Sequence, residues 1–317
     1  MIEVYTPEFL HLRTIAHPKS VKWNIRYNDV GSCEIYLQPQ DESIKLFAEN
    51  DDLIVVQGRL SAWVNGCADD MGGFLVSGRT LNWLTTNRQV LPFDKVDTRE
   101  RIIRTLVTEQ FIAAGNKKVP NFVLGNTIGN TTQTEYELEE YSRSLYDIIK
   151  ELCEIEKIGF EVYFDYFENK YRFNLIRGID RTAGTNSPLI LSEVNRNFTQ
   201  TQYLKNNEGY KTAGYLREVE DDETTFTEII KDSATGFYRR ELGLTIEEIE
   251  LTKAKRITEI DGVVYGLNFG TDFNVGDIVT VQKQVGKEII TQDRRILEVT
   301  INQEVGNNSV VPILGEI

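Results

Sequence analysis

The strongest constraint on the fold is a run of period-two alternation near the N-terminus. Val21, Trp23, Ile25 and Tyr27 alternate with Lys22, Asn24, Arg26 and Asn28. After a turn at Asn28-Asp29-Val30-Gly31, Cys33, Ile35 and Leu37 resume the pattern against Glu34, Tyr36 and Gln38. Successive side chains of a strand point to opposite faces, so each run has one face to bury and one to expose. Two such runs joined by an Asp/Gly turn predict an antiparallel hairpin at the edge of a barrel or sandwich.

The same grammar recurs. Leu53-Ile54-Val55-Val56, entered from Asp51-Asp52, is continuously apolar and predicts a strand buried on both faces. Ala62-Trp63-Val64 leads into Asn65-Gly66, a pair that supplies the positive φ angles of a type I′ turn. A second hairpin is therefore expected there. Its return strand runs through Phe74-Leu75-Val76-Ser77-Gly78, with Asp69-Asp70-Met71-Gly72-Gly73 as an interruption. Residues 1–96 read as one β domain.

At Asp97 the pattern changes. Asp97 is placed to cap a helix with Glu100 reaching back, Ile103, Leu106, Val107 and Phe111 follow at helical spacing, and Gly115 is the expected stop. A second helix is expected after Ser142, with Leu145, Ile148, Ile149 and Leu152 on one face and Gly159 ending it. Between them, residues 125–134 are rich in Gly, Asn and Thr and predict a mobile loop. Phe160, Val162 and Phe164 then alternate with Glu161, Tyr163 and Asp165, and Glu168-Asn169-Lys170 turns into a partner strand from Tyr171 to Leu175. Residues 97–185 read as a small α+β domain, closed by a polar stretch from Asp180 to Pro188. Residues 186–317 return to strands, among them 273–281 and 295–301, with a helical insertion expected near 244–258 from the capping-box spacing of Thr245 and Glu248. Gly276-Asp277 marks a tight strand start or a bulge.

At 317 residues the chain exceeds the size, about 250–300 residues, at which one core stops growing. Two or three domains follow. With 49 Asp and Glu against 35 Lys and Arg, the net charge of −14 opposes phosphate binding, so no stable nucleic-acid partner is expected. The start Met1-Ile2-Glu3-Val4-Tyr5 has no signal-peptide pattern, and no run of eighteen apolar residues offers a transmembrane segment. Synthesis in a host cytoplasm without a signal peptide is expected. Cys33, Cys67 and Cys153 are widely spaced and fit reduced thiols better than a disulfide framework.

Chemistry is thin. His11 and His17 are the only histidines and lack the dense ligand spacing of a zinc site, so no metal and no cofactor is expected. Asp51-Asp52, Asp69-Asp70 and Asp221-Asp222-Glu223 could supply paired carboxylates, but neighbours on a strand face opposite ways, and turn acids account for them. No G-x-S-x-G, P-loop or H-E-x-x-H motif occurs, and Gly266 to Gly270 is no dinucleotide fingerprint. No catalytic residue is assigned. Trp63 and Trp83 could serve as sugar platforms, but Trp83 lies between Leu81 and Leu84 and Trp63 just before the expected turn, which favours burial.

Four segments in fixed order carry a resemblance: residues 21–37, residues 73–84 (GFLVSGRTLNWL), residues 273–281 (FNVGDIVTV) and residues 311–315 (VPILG). Together they resemble the siphovirus tail protein family known as gene-product-thirty-seven-like, found in tailed phages and prophages. Its members are similar to the baseplate hub of contractile-tailed phages and to the hub portion of tail-associated lysins. The resemblance implies a mainly β fold with an α+β insertion, in which two β-barrel-like domains plus a small α+β domain assemble as a homotrimer with pseudo-sixfold symmetry. It implies a virion structural protein of the tail tip, joining the tail tube to fibres or adhesins and letting DNA pass. The implied partners are a distal tail protein, a tape-measure protein and a tail fibre or receptor-binding protein. Three copies would carry a charge of roughly −42, so an acidic lumen is expected. Ending at Ile317, the chain leaves no room for the hydrolase domain of a tail-associated lysin, and no enzymatic activity is expected. The rival readings are a cell-wall hydrolase and a carbohydrate- or receptor-binding module of the tail tip.

Overall fold

The alternating hairpin forms the centre of the molecule. Its strands, Ser20–Arg26 and Ser32–Leu37, pair with Val21 opposite Ile35 and Trp23 opposite Cys33. Residues 1–70, 72–129, 131–139, 141–220, 223–245, 251 and 254–317 are described in a computed structural model of the chain. From the hairpin a 14-stranded sheet extends both ways. On one side lie Ser32–Leu37, Gly73–Thr80, Leu60–Asp70, Ile54–Gln57, Ile2–Tyr5 and, at the edge, His11–Ile15. On the other lie Glu288–Glu304, Asn307–Gly315, Ile257–Val264 and the edge strand Phe198–Asn206.

The 17-residue strand Glu288–Glu304 bridges two β bodies. Its first half pairs with Ile278–Val285, and residues 298–304 pair antiparallel with Ser20–Arg26, Glu298 opposite Arg26. Ile278–Val285 in turn takes Asp180–Arg181 and Ile190–Ser192 as parallel neighbours. The fold is thus mainly β with an α+β insertion, and the described residues form three hydrophobic cores. One holds Trp23, Ile35, Leu37, Val55 and Val76, closed by Phe47 of the short helix Ser43–Glu49. A second holds Phe198, Ile260, Val279, Ile296 and Val299. The third lies in the α+β unit, where helices Arg99–Val107 and Leu145–Glu156 pack with the strands Phe122–Leu124, Lys170–Ile176 and Gly159–Asp165.

The doubly buried strand is borne out. Ile54 and Val56 point into the α+β core while Leu53 and Val55 point into the N-terminal β core, all at most 1% exposed. The second long helix is also as expected, with Leu145, Ile148, Ile149 and Leu152 buried. It ends, however, at Lys157, which is left-handed (φ 57°) and bonds back to the Cys153 and Glu154 carbonyls. Gly159 instead opens the next strand.

Further expectations are corrected. Asn65-Gly66 is no hairpin turn: Leu60–Asp70 runs straight through it, a register shift between Val64 and Gly66 absorbs the odd residue, and the antiparallel pairing with Gly73–Thr80 continues out to Asp70 opposite Gly73. The first α+β helix is capped by Thr98, whose side chain accepts the Arg101 N–H, because Asp97 turns back to its neighbour, the Thr98 N–H. Glu100 is buried and serves another segment. Its carboxylate accepts the Ile128 and Gly129 N–H groups, and Arg104 donates to the Gly125 and Asn126 carbonyls. The Gly/Asn-rich stretch is therefore tied down by side chains before Gln133–Leu138 pairs with Phe93–Thr98. Of the helical insertion expected near 244–258, residues 246–250, 252 and 253 lie outside the described residues; Thr245 ends the strand Glu241–Thr245, Leu251 is helical, and at the far end the expectation is corrected, since Ile257 opens the strand Ile257–Val264.

Candidate assembly surfaces and their junction

Three segments distant in sequence converge on Tyr27. The alternation puts its ring on the buried face, 2% exposed, just past the strand end. Its N–H bonds to the Leu297 carbonyl at 2.9 Å, and its own carbonyl accepts the Phe160 N–H at 3.0 Å. The hydroxyl proton is shared between the Lys157 and Ile176 carbonyls, 3.2 and 3.1 Å away, and the oxygen accepts the Gly178 N–H at 3.2 Å. Burial pushes this phenol up, against the opposing pull of the Gly178 N–H and the Arg295 guanidinium. Two glycines make room for the ring. A Cβ on Gly276, where φ is +91°, would stand 2.2 Å from Tyr27 Cε2, and one on Gly159 would stand 2.2 Å from the Tyr27 carbonyl oxygen.

Next to this ring, Asp277 is buried with both carboxylate oxygens occupied. Oδ1 accepts the Ile179 N–H at 2.8 Å, and Oδ2 accepts Arg181 Nε and the Asn274 N–H, each at 3.0 Å. Arg295 donates to the Gly276 carbonyl at 2.8 Å. A buried charge is tolerated only when it is paired and hydrogen-bonded in this way.

The strand Gly159–Asp165 would expose an open edge, since it pairs with Lys170–Ile176 on one side only. The N-terminal β body closes that edge with a different acceptor at every second residue. Phe160 N–H goes to the Tyr27 carbonyl, Val162 N–H to Asn82 Oδ1 at 2.7 Å, and Phe164 N–H to Ser61 Oγ at 3.1 Å. The Asn82 amide also donates to the Asp29 and Phe160 carbonyls. Asp29 adds a second tie, bonded by the Tyr146 hydroxyl and, at 2.8 Å, by Lys150 of the helix behind. Burial works to raise the Asp29 carboxyl, but those two partners and the Val30 N–H outweigh it and hold it below the usual carboxylate range. The junction thus sets the α+β unit in a fixed orientation on both β bodies.

Outward, the sheet path ends in two edges, His11–Ile15 and Phe198–Asn206. A separate three-stranded sheet, Glu223–Ile230, Ala213–Glu220 and Glu241–Thr245, leaves Phe226 and Ile230 exposed, and Phe237 and Tyr238 in the turn Gly236–Tyr238 are the barest aromatics of this region. Exposed apolar side chains of this kind make this sheet a candidate contact surface.

The weak chemical candidates are not brought together. His11 Nε2 sits 2.7 Å from Glu3 Oε2 at the sheet edge, and His17 is exposed. Among the described residues no group of three or more His, Cys, Asp or Glu could hold a metal ion. Asp51, Asp52 and Asp69 are exposed, whereas Asp221 and Asp222 lie outside the described residues. Cys33 and Cys153 are buried free thiols and Cys67 is exposed and free. Trp63 and Trp83 are only partly buried, their rings 6.2 Å apart, and Trp63 packs against the α+β core from the strand Leu60–Asp70. Sequence reasoning missed Asn82, Ser61 and Asp277 as junction groups. An amide set between Leu81 and Trp83 was the available signal.

Residues 1–242 match the sequence profile described as Siphovirus ReqiPepy6 Gp37-like protein. The chain belongs to this family. The Gp37-like match takes in the N-terminal β body, the α+β unit and the exposed three-stranded sheet up to residue 242. No curated protein matches the chain. Among solved structures, the 43 kDa tail protein of prophage MuSo2 from Shewanella oneidensis superposes with a TM-score of 0.62 at 12% identity, over 99% of this chain and 98% of that one. The tail protein from Neisseria meningitidis MC58 gives 0.59 at 12% identity, over 99% and 96%. The E. coli c3393 protein gives 0.54 at 11% identity, over 100% and 77%; it is described as a type VI secretion component with structural similarity to the bacteriophage T4 tail proteins gp27 and gp5. This Gp37-like chain therefore has the fold of phage and prophage tail proteins. No helix among the described residues is long and apolar enough to cross a membrane.

Proposed function

We propose that this Gp37-like protein is the baseplate hub of a siphophage or prophage tail tip, a homotrimeric ring that joins the sixfold tail tube to threefold fibres or adhesins and lets DNA pass. The observation that carries this reading is the edge-to-edge join of residues 298–304 with Ser20–Arg26, which gives one chain two β bodies side by side. Three such chains would present six related walls to the tube above, and the α+β unit, locked by the Tyr27 junction, would break that symmetry below. The domains in this reading are 1–96, 97–185 and 186–317. The likeness of the E. coli c3393 protein to gp27 and gp5 supports it. The partners would be a distal tail protein and a tape-measure protein above and a fibre or receptor-binding protein below. The role is structural rather than enzymatic, which release of soluble fragments from purified peptidoglycan would contradict.

The test is cryo-electron microscopy of the virion tail tip together with native mass measurement of the purified chain. A threefold density of three copies at the end of the tube is the expected result. Placement of the protein elsewhere in the particle, or as single copies, would refute the hub. A neutral or basic channel lining would refute the acidic lumen alone.

A further inference from the structure

Between the N-terminal β body and the α+β unit, on the side of Trp63, lies a cavity of about 310 Å³ walled by Phe9, Trp63, Phe111 and Tyr171. The wall is built with strained backbone. Phe9 has φ +69°, held by its N–H to the Thr6 carbonyl at 3.1 Å and by the Thr6 N–H to the Leu10 carbonyl at 2.9 Å. In that conformation its ring stacks on Phe164 at 4.4 Å and meets Tyr171 at 5.2 Å. Bulky residues in the left-handed region persist only where the surroundings enforce them, and they collect at binding sites.

Of these rings, Phe9 and Trp63 are partly exposed and can be reached, whereas Phe111 and Tyr171 are 1% and 3% exposed and only back the wall. The Tyr171 hydroxyl is used by the Pro7 carbonyl at 2.8 Å. The polar groups around them are uncommitted. The Glu8 carboxylate, the Asn87 and Asn121 amides and the Trp63 indole N–H have no hydrogen-bond partner among the described residues. Arg88 lies over the Phe111 ring at 5.0 Å and gives one N–H to the Lys117 carbonyl at 3.3 Å, which leaves the rest of its donors free.

We propose that this cavity binds a pyranose unit of a neutral glycan. A pyranose carries one face of C–H groups, which packs on aromatic rings, and a rim of hydroxyls that both donate and accept. That is the complement of the Phe9 and Trp63 rings edged by two amides, a carboxylate, a guanidinium and an indole N–H. An aliphatic side chain would leave those groups without a use. An anionic ligand would face Glu8 on a chain of net charge −14. The volume lies at the lower end of small-ligand sites, which suits one sugar ring with part of a second. The inference does not rest on ring assembly, since every residue of the cavity comes from one chain.

The test is ligand-observed NMR and tryptophan-emission titration of the full chain with the methyl glycosides of glucose, galactose, N-acetylglucosamine and rhamnose in the millimolar range, and with N-acetyl-phenylalanine amide as the apolar probe. Saturable binding of at least one glycoside is expected, weakened about tenfold or more in Asn87→Ala and in Glu8→Gln, both surface changes that leave the fold intact, and abolished in Trp63→Leu. No saturation by any glycoside, binding unchanged in all three variants, or binding of the phenylalanine amide alone would overturn the proposal.

Discussion

Gly276→Ala tests whether the packing around Tyr27 holds the units together. Two costs act on this variant. Its φ of +91° lies outside the regions an L-residue prefers, which costs on the order of 1–2 kcal/mol. The new methyl would also stand 2.2 Å from Cε2 and 2.6 Å from Cζ of a buried ring, and moving such a ring aside costs about 1–3 kcal/mol. The expected loss is about 2–5 kcal/mol. Tyr27→Ala on its own should cost about 3–5 kcal/mol through the cavity it leaves, with the Gly178 N–H losing its acceptor as well. In the double variant the colliding ring is gone and only the backbone cost of the methyl remains. The two losses should then fall short of additivity by about 1–3 kcal/mol, where independent sites add to within about 0.5 kcal/mol. Denaturant unfolding measures the cycle, with free energies taken where circular dichroism and tryptophan emission report one coincident transition. Were all 317 residues to unfold together, the entropy of about 0.7 kcal/mol/K would convert the Gly276→Ala loss into a fall in Tm of roughly 3–7 °C. Strict additivity would refute the reasoning, because it would mean that the ring does not rest on Gly276.

Other consequences of the junction and its neighbours are open to equally direct checks. Asn82→Ala strands the Val162 N–H in the interior and should cost about 2–3 kcal/mol, with faster hydrogen exchange at Val162 as its local signature. Thr98→Ala should lower stability by about 1 kcal/mol, while Asp97→Ala should stay within about 0.5 kcal/mol, a contrast that thermal unfolding of the two variants resolves. Asp29 and Glu156 are both held below the usual carboxylate range. Their contribution is therefore fully present above the unfolded value near 4 and is lost as pH falls through the lower folded values. Lys150→Met should flatten the Asp29 part of that decline in a series of Tm measurements against pH, and an unchanged profile would remove Lys150 as its cause.

What was legible in the sequence was what short range decides. Residues 20–38 declared their hairpin because period two is set by the strand itself, and Leu145 to Leu152 declared a helix for the same reason at a longer period. Where two local solutions compete, context chose. Asn65-Gly66 can turn, but its partner strand continues past it, so a register shift with extended pairing on both sides was preferred to a reversal. Lys157 took the left-handed position expected of Gly159, because Gly159 lies two residues later, under the Tyr27 carbonyl. The junction itself was not legible: Tyr27 meets residues 130 and 149 positions away. A reader of the chain sees a tyrosine in an alternating strand and no hint of what its hydroxyl holds.

A mainly antiparallel fold must hide or spoil its edges, since each is a template for another strand. Here the edge of Gly159–Asp165 is closed from within the chain by Tyr27, Asn82 and Ser61, and Ser20–Arg26 is closed by residues 298–304. Of the two ends of the sheet path, Phe198–Asn206 carries a register shift between Thr199 and Gln202, with Gln200 at φ +54°. Such a bulge bends an edge away from indiscriminate pairing and admits only a partner shaped to it. His11–Ile15, at the other end, carries Arg13 bonded to Glu42 and His11 beside Glu3. An edge dressed with charge at one end and bulged at the other favours a neighbour of fixed geometry over indiscriminate strand pairing.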